Sequence, residues 1–199
     1  MAIRTSTETR LLDAADELFF TRGITATPID AVIERAGVSA ATLYRGFPSK
    51  EMLVAAALER RHRAWLETWD EAIARGTDDE GRLLAVFDAL DDFRLRPIGS
   101  RWCAFLGAAA EYGDGPEEIA AAVRRDTDSL RDRLRGLAQP LVAGHEAGGM
   151  TAATLGDDLL LLVTGDLAMR LREPRHTTDL ARGIARRLIR SMPMTPPNP

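Results

Sequence analysis

Apolar residues recur along this chain at helical rather than strand spacing, from its beginning almost to its end. Leu11, Leu12, Ala15, Leu18 and Phe19 form one stripe that stops before Gly23. A shorter stripe follows at Ile29, Val32, Ile33 and Ala36, spaced i, i+3, i+4 and i+7. Thr27 stands where an N-cap oxygen is expected, and Pro28 at the first helical position, where its missing N–H costs nothing. Gly37 follows the last periodic residue and supplies the left-handed conformation that closes a helix. Ser39 is placed to cap the next helix, which Leu43 and Phe47, four residues apart, anchor from beneath. Ala40, Ala41, Tyr44 and Arg45 are then expected to point away from the core. Pro48 ends this helix, and Ser49 caps a longer one with Lys50 in its first turn.

The remaining pattern is also helical. The helix from Ser49 is predicted to reach about Arg75 and carries Trp65, Trp69 and Ile73 on one side. Gly76 to Asp79 interrupt the pattern, and Leu83, Leu84, Phe87, Leu90 and Phe93 stripe a further helix that ends by Pro97 and Gly99. A short helix is predicted from Trp102 to Tyr112 and a long one from Glu117 to about Ala147, kinked at Pro140. Gly148 and Gly149 separate these from two last helices, Leu155 to Leu171 and Thr178 to Met192. The former carries Leu159, Leu160, Leu161, Leu162 and Val163 in a row, more than one buried face of a monomer uses. It therefore requires a partner on a second side, unless it is the central helix of a monomer. With no strand predicted, the expected fold class is all-α, with a first domain over 1–50, a second over 51–192, and a proline-rich disordered tail over 193–199.

Two short helices joined by a tight glycine turn, the second showing small polar side chains outward, have the layout of a helix-turn-helix that reads DNA. Lys50 strengthens this reading, because the positive end of a helix dipole disfavours a lysine and a nearby phosphate would explain it. Charge refines the picture. The chain has 199 residues, 45% apolar content and a net charge of −4, so no global field draws it to nucleic acid. Between Glu34 and Glu51, however, there is no carboxylate, while Arg35, Arg45 and Lys50 lie there. Lys50 is also the only lysine, the other 25 basic residues being arginine.

The segment LLDAADELFFTRG, followed by threonine, AGVS, TLY, a phenylalanine and SKE, resembles the DNA-binding domain of the tetracycline-repressor (TetR) family. The close match covers about residues 10 to 53. It departs at the isoleucine slot after Thr27, and at Gly46, where the family usually carries histidine or another polar residue. The resemblance implies a homodimer on a palindromic double-stranded DNA operator. Two-fold symmetry would place the half-sites about 34–36 Å apart, or a multiple of that. It implies phosphate contacts from Thr27, Thr42, Tyr44 and Lys50, with Ser39, Ala40, Ala41 and Arg45 facing the major groove. Arg45 alone of these carries a donor fork suited to guanine, while the methyls of Ala40 and Ala41 suit thymine methyls.

For the second domain the resemblance implies effector binding and dimerisation. A mostly apolar pocket for a small molecule is expected from Trp65, Trp69, Phe87, Leu90, Trp102, Phe105 and Tyr112, with Arg101 or Glu111 as polar anchors. Each aromatic also has the simpler reading of ordinary core. The dimer interface is expected from the last two helices at Leu161, Gly165, Ala168 and Met169, where small residues permit close approach. The implied function is that of a ligand-responsive repressor, the alternatives being an activator or a ligand-independent architectural DNA binder.

Other classes find little support. His62, His145 and His176 are scattered, no second histidine completes a zinc motif around Gly144-His145-Glu146, and no glycine-rich phosphate loop follows a strand. Asp91-Asp92 and Asp157-Asp158 are adjacent, so on a helix they point about 100° apart and form no acid–base pair. An enzyme is not expected, nor a metal or cofactor. Cys103 is the only cysteine, which excludes an intrachain disulfide; it reads as a buried structural thiol, with a redox sensor beside Arg101 as the alternative. With no signal peptide and no apolar run of membrane-spanning length, the expected location is the cytoplasm.

Overall fold

The computed structural model describes residues 5–98, 103–113, 115–143, 150–173 and 175–192. Among them are nine helices and no strand. They are α1 (Thr5–Arg22), α2 (Ile29–Ala36), α3 (Ala40–Gly46), α4 (Lys50–Ala74), α5 (Asp79–Leu95), α6 (Ala104–Tyr112), α7 (Glu117–Val142), α8 (Ala152–Arg172) and α9 (Asp179–Arg190). The all-α expectation holds, and each predicted helix has a counterpart. The expected last turn of the long helix beyond residue 143 and the tail over 193–199 lie outside the described residues, as do Arg101, Trp102 and His145. No helix among the described residues is long and apolar enough to cross a membrane.

The chain divides into two compact units, Met1–Ala64 with Ile98–Asp126, and Trp65–Pro97 with Thr127–Pro199. This is a division by packing. It passes through α4 and α7, each of which contributes one part of its length to each unit. The expected boundary at residue 50 is one of function, and it is taken up as a proposal below.

In the first unit the predicted stripes meet in one core. Leu11, Phe19 and Phe20 of α1 pack with Val32 of α2, Leu43 of α3, Leu53 and Leu58 of α4, and Phe105 and Ala108 of α6. Burying each of the larger side chains contributes about 1.5–3 kcal/mol, so three short helices gain much of their stability from α4 and α6. An ion-pair cluster ties α1 to α4: Arg60 reaches Asp13 at 2.7 Å and Asp16 at 3.0 Å, and Arg61 reaches Asp16 at 3.3 Å. Burial pushes the Asp16 carboxyl above its ordinary value despite these partners.

The second unit is built around Trp69, Leu83, Phe87, Leu134, Leu155, Leu159 and Val163. It also encloses charge. Asp166 of α8 accepts from Arg170 at 3.0 Å and pairs with His176 at 2.9 Å, while Arg170 also donates to the Leu90 carbonyl at 3.3 Å and to Asp91 at 3.2 Å. Thr178 donates to the other Asp91 oxygen at 2.6 Å. Every partner of the buried Asp166–Arg170 pair is thereby satisfied, which is the condition under which such a pair is tolerated.

Candidate nucleic-acid interface

Local chemistry positions the helix-turn-helix. Gly37 closes α2 at φ 62, ψ 43, in the left-handed region, and its N–H bonds the α2 carbonyls of Glu34 and Ile33. Ser39 starts α3 as its N-cap, its oxygen accepting from the Thr42 N–H at 3.2 Å. The Ser39 and Thr42 hydroxyls also bond one another at 2.8 Å, which leaves one hydroxyl proton of the pair for an outside acceptor. Leu43 and Phe47 are buried beneath α3, while Ala40, Ala41, Tyr44 and Arg45 are exposed, Tyr44 by 48%. Gly46 is the last residue of α3, so its low helix propensity falls where the helix ends. Ser49 accepts from the Met52 N–H at 3.1 Å, which caps α4 as expected and sets Lys50 at its first position.

The charges are arranged less simply than the linear count suggests. Arg35 is ion-paired with Glu17 at 2.6 Å on the surface, and the Glu17 bond raises its pKa further. Arg45 makes no ion pair with any described residue. Lys50 lies 5.7 Å from the Phe19 ring centre, and burial lowers its pKa although Glu51 and Glu111 pull the other way. The cationic face thus rests on Arg45 and Lys50.

Thr27 requires a correction. Pro28, not Thr27, occupies the N-cap of α2, and no side chain caps that end. Thr27 is 2% exposed, and its hydroxyl donates back to the Gly23 carbonyl at 2.6 Å and the Leu18 carbonyl at 3.3 Å. The side chain fastens the α1–α2 turn from inside and offers nothing to a phosphate in this arrangement.

The sequence pattern of the bacterial regulatory proteins, tetR family, matches residues 11–57, which are the last two thirds of α1, all of α2 and α3, and the start of α4. A crystal structure of a TetR-family transcriptional regulator from Streptomyces coelicolor superposes with a TM-score of 0.82 at 27% identity, covering 95% of this chain and 97% of that one. The chain carries the tetR-family DNA-binding region on a TetR-like fold. The family's fold recurs in a regulator from Chloroflexus aurantiacus, with a TM-score of 0.77 at 22% identity over 94% of this chain and 95% of that one. Among curated relatives, the HTH-type transcriptional activator FasR of Mycolicibacterium smegmatis is 38% identical over 125 residues, 63% of this chain and 55% of that protein. The HTH-type transcriptional repressor KstR2 of Rhodococcus jostii is 33% identical over 87 residues, 42% of this chain and 43% of that protein. The matched region thus spans about half the length of each curated relative.

Two residues of this chain that sequence reasoning passed over or placed elsewhere act on the motif directly. Arg10 of α1 donates from Nε to the Ala36 carbonyl at 2.9 Å and from a terminal nitrogen to the Gly37 carbonyl at 2.6 Å. Glu111 of α6, expected as an anchor for a small molecule, accepts instead from the backbone N–H of Ile24 at 2.9 Å and of Thr25 at 2.6 Å. Burial works to raise the Glu111 pKa, but the Thr25 and Ile24 donors and the Lys50 charge outweigh it and hold the carboxyl below its ordinary value.

The other expected pocket residues fall in two places. Trp65, Trp69, Phe87 and Leu90 belong to the core of the second unit, where Trp65 stacks at a tilt on Trp69, ring centres 5.5 Å apart, and meets Phe93 edge-on at 5.8 Å. Arg133 covers the Trp69 ring at 5.0 Å, and the buried Trp69 N–H has no hydrogen-bond partner among the described residues. Phe105 and Tyr112 pack in the first unit. Tyr112 also borders a cleft of about 200 Å³ between α6 and α7, with Ala108, Ile119, Val123 and Arg124 on its walls. His62 pairs with Asp126 at 2.8 Å, and no group of three or more metal-ligating side chains is assembled among the described residues.

Proposed function

We propose that this chain is a TetR-family DNA-binding transcriptional regulator, a repressor that binds a palindromic operator as a homodimer and is released by a small molecule. The observation that carries this reading is the outer surface of α3. Two alanine methyls, Tyr44 and Arg45, which makes no ion pair among the described residues, face solvent together, flanked by the Ser39–Thr42 hydroxyl pair and by Lys50. Small side chains let a helix approach base edges closely, and one guanidinium fork is enough to prefer guanine at one step. Thr42, Tyr44 and Lys50 are assigned to phosphates, and Ser39, Ala40, Ala41 and Arg45 to the major groove. In these terms the DNA-binding domain is 1–50 and the effector and dimerisation domain is 51–192.

Dimer formation is supported by α8 and α9. Leu161 is 73% exposed and Leu180 65% exposed, and a Cβ built on Gly165 would meet nothing within 4 Å. Such leucines are misplaced on a monomer but suited to a second copy, with Ala168 and Met169 beside them. Effector binding is supported by the aromatic group around Trp69, whose N–H has no partner among the described residues and would be satisfied by an acceptor on the ligand. Release then follows if the ligand binds a DNA-incompetent arrangement substantially better than the DNA-bound one.

The test is selection of genomic fragments on the purified protein at moderate salt, with elution repeated in the presence of a metabolite extract. A short palindrome whose retention falls with extract is the expected result. A palindrome indifferent to extract would replace the ligand-responsive reading with that of an architectural binder, and no enriched sequence from a folded dimer would overturn operator binding.

A further inference from the structure

The helix α2 is only eight residues long, about 12 Å at 1.5 Å per residue, and no side chain of its own caps its start. Its two ends are held from outside instead. Before it, Gly23 at φ 95 turns the chain so that the successive N–H groups of Ile24 and Thr25 present themselves to one carboxylate, Glu111, one to each oxygen. Successive backbone N–H groups in such a turn form a concavity that favours an anion. After it, Arg10 binds the carbonyls of Ala36 and Gly37. Negative charge therefore lies towards the N-terminal end of α2 and positive charge at its C-terminal end, the sense that its dipole favours.

We propose that Glu111 is a positioning residue for operator binding, which fixes the entry to the helix-turn-helix from α6 while Arg10 fixes the exit. The proposal rests on the reading of the chain as a DNA binder. Its physical content is that both tethers grip backbone rather than side chains, so they set where α2 starts and stops. The recognition helix begins only two residues after Gly37, at its Ser39 cap, and inherits its placement from α2. Glu111 lies 86 residues beyond Thr25 in sequence, so this constraint enters from a distant helix. The carboxylate hydrogen-bonds the backbone of Ile24 and Thr25 rather than a group assigned to DNA. Its charge and that of Lys50 attract one another, so by charge alone its removal would favour DNA, the opposite of the effect expected from lost positioning. Its effect is on geometry rather than on the number of phosphates neutralised.

The experiment compares wild type, Glu111→Gln and Glu111→Ala, all shown to be folded by circular dichroism at the working temperature. Amide hydrogen exchange is followed at Ile24 and Thr25, and binding is titrated against the palindrome selected by the wild type. In Glu111→Ala both amides should exchange at least about tenfold faster, as the loss of charge-assisted hydrogen bonds implies, while the Phe19 and Phe20 amides are unchanged. Operator affinity should fall about tenfold with the slope of log K against log salt preserved, since no phosphate contact is lost. Glu111→Gln, which keeps one acceptor oxygen, should lie between. Unchanged exchange would overturn the clasp, and faster exchange with unchanged affinity would overturn the positioning role. A wild type that selects no DNA would overturn the underlying reading, a failure visible before any variant is made.

Discussion

Burial decides the chemistry of single residues here more than sequence neighbours do. Cys103, at the N-cap of α6, has its thiol pushed up to about 11, by burial first and by the Asp126 charge second, which Arg61 does not offset. The native protein should therefore react with a thiol reagent at neutral pH far more slowly than the denatured chain. Equal rates would restore the redox-sensor alternative. Glu111 shows the opposite direction. Because its folded pKa lies below the ordinary 4.5, its stabilising contribution is complete above that value and is lost as pH falls through the lower, folded one. Acidification below 4.5 should thus release the Ile24 and Thr25 amides before the core of α1, as read by exchange. At the proposed DNA face, Lys50→Ala should weaken binding to all sequences alike and flatten the salt slope by about one. Arg45→Ala should instead relax preference at one base pair per half-site, by about 1–3 kcal/mol. An unaltered selected consensus would remove Arg45 from base readout.

The elements that the sequence predicts best are those whose signals are local. Ser39, Ser49, Gly37 and the stripe on α1 each act within a few residues, and each acts as its position suggests. The failures are equally instructive. Thr27 looked like a cap because it precedes Pro28, but the turn after Gly23 faces its hydroxyl inward, to carbonyls of α1 and the turn itself. Arg10 and Glu111 reach the motif from 26 to 87 residues away, and no spacing rule encodes a side chain that seeks a distant backbone. Two glycines separate conformational need from mere tolerance. Gly37→Ala forces an alanine into the left-handed region and should destabilise by about 1–2 kcal/mol in denaturant titration. Gly136, inside α7 with open space around it and no positive φ, should gain about 0.5–1 kcal/mol as alanine.

At the scale of the whole molecule, the fold was legible because helical periodicity runs through nearly every segment, and the exposed Leu161 agrees with the excess of apolar residues noted on its helix. The pocket was not legible in the same way. An aromatic at helical spacing signals burial, and burial serves a core and a ligand site alike; Phe87, for instance, is wholly buried and belongs to the core of the second unit. Leu161→Glu tests the assembly: it should leave the helical content intact and convert the sedimenting species from dimer to monomer, while a surviving dimer would move the interface elsewhere. Asp166→Ala should act differently, destabilising the second unit at the lower end of about 3–5 kcal/mol, because buried Arg170 loses one of its two carboxylates, keeping Asp91 and the Leu90 carbonyl, and the His176 ring loses its partner.

Lys50 is the only lysine in 199 residues, and its amine is made less basic by burial. Apart from the terminal amine, a reagent that acylates amines has one place on this chain to attach, and that place is the first turn of α4. A single dye, crosslinker or acetyl group can thus be installed at a known position without mutagenesis, and installing it would blank the proposed DNA face while leaving every arginine of the protein as it was.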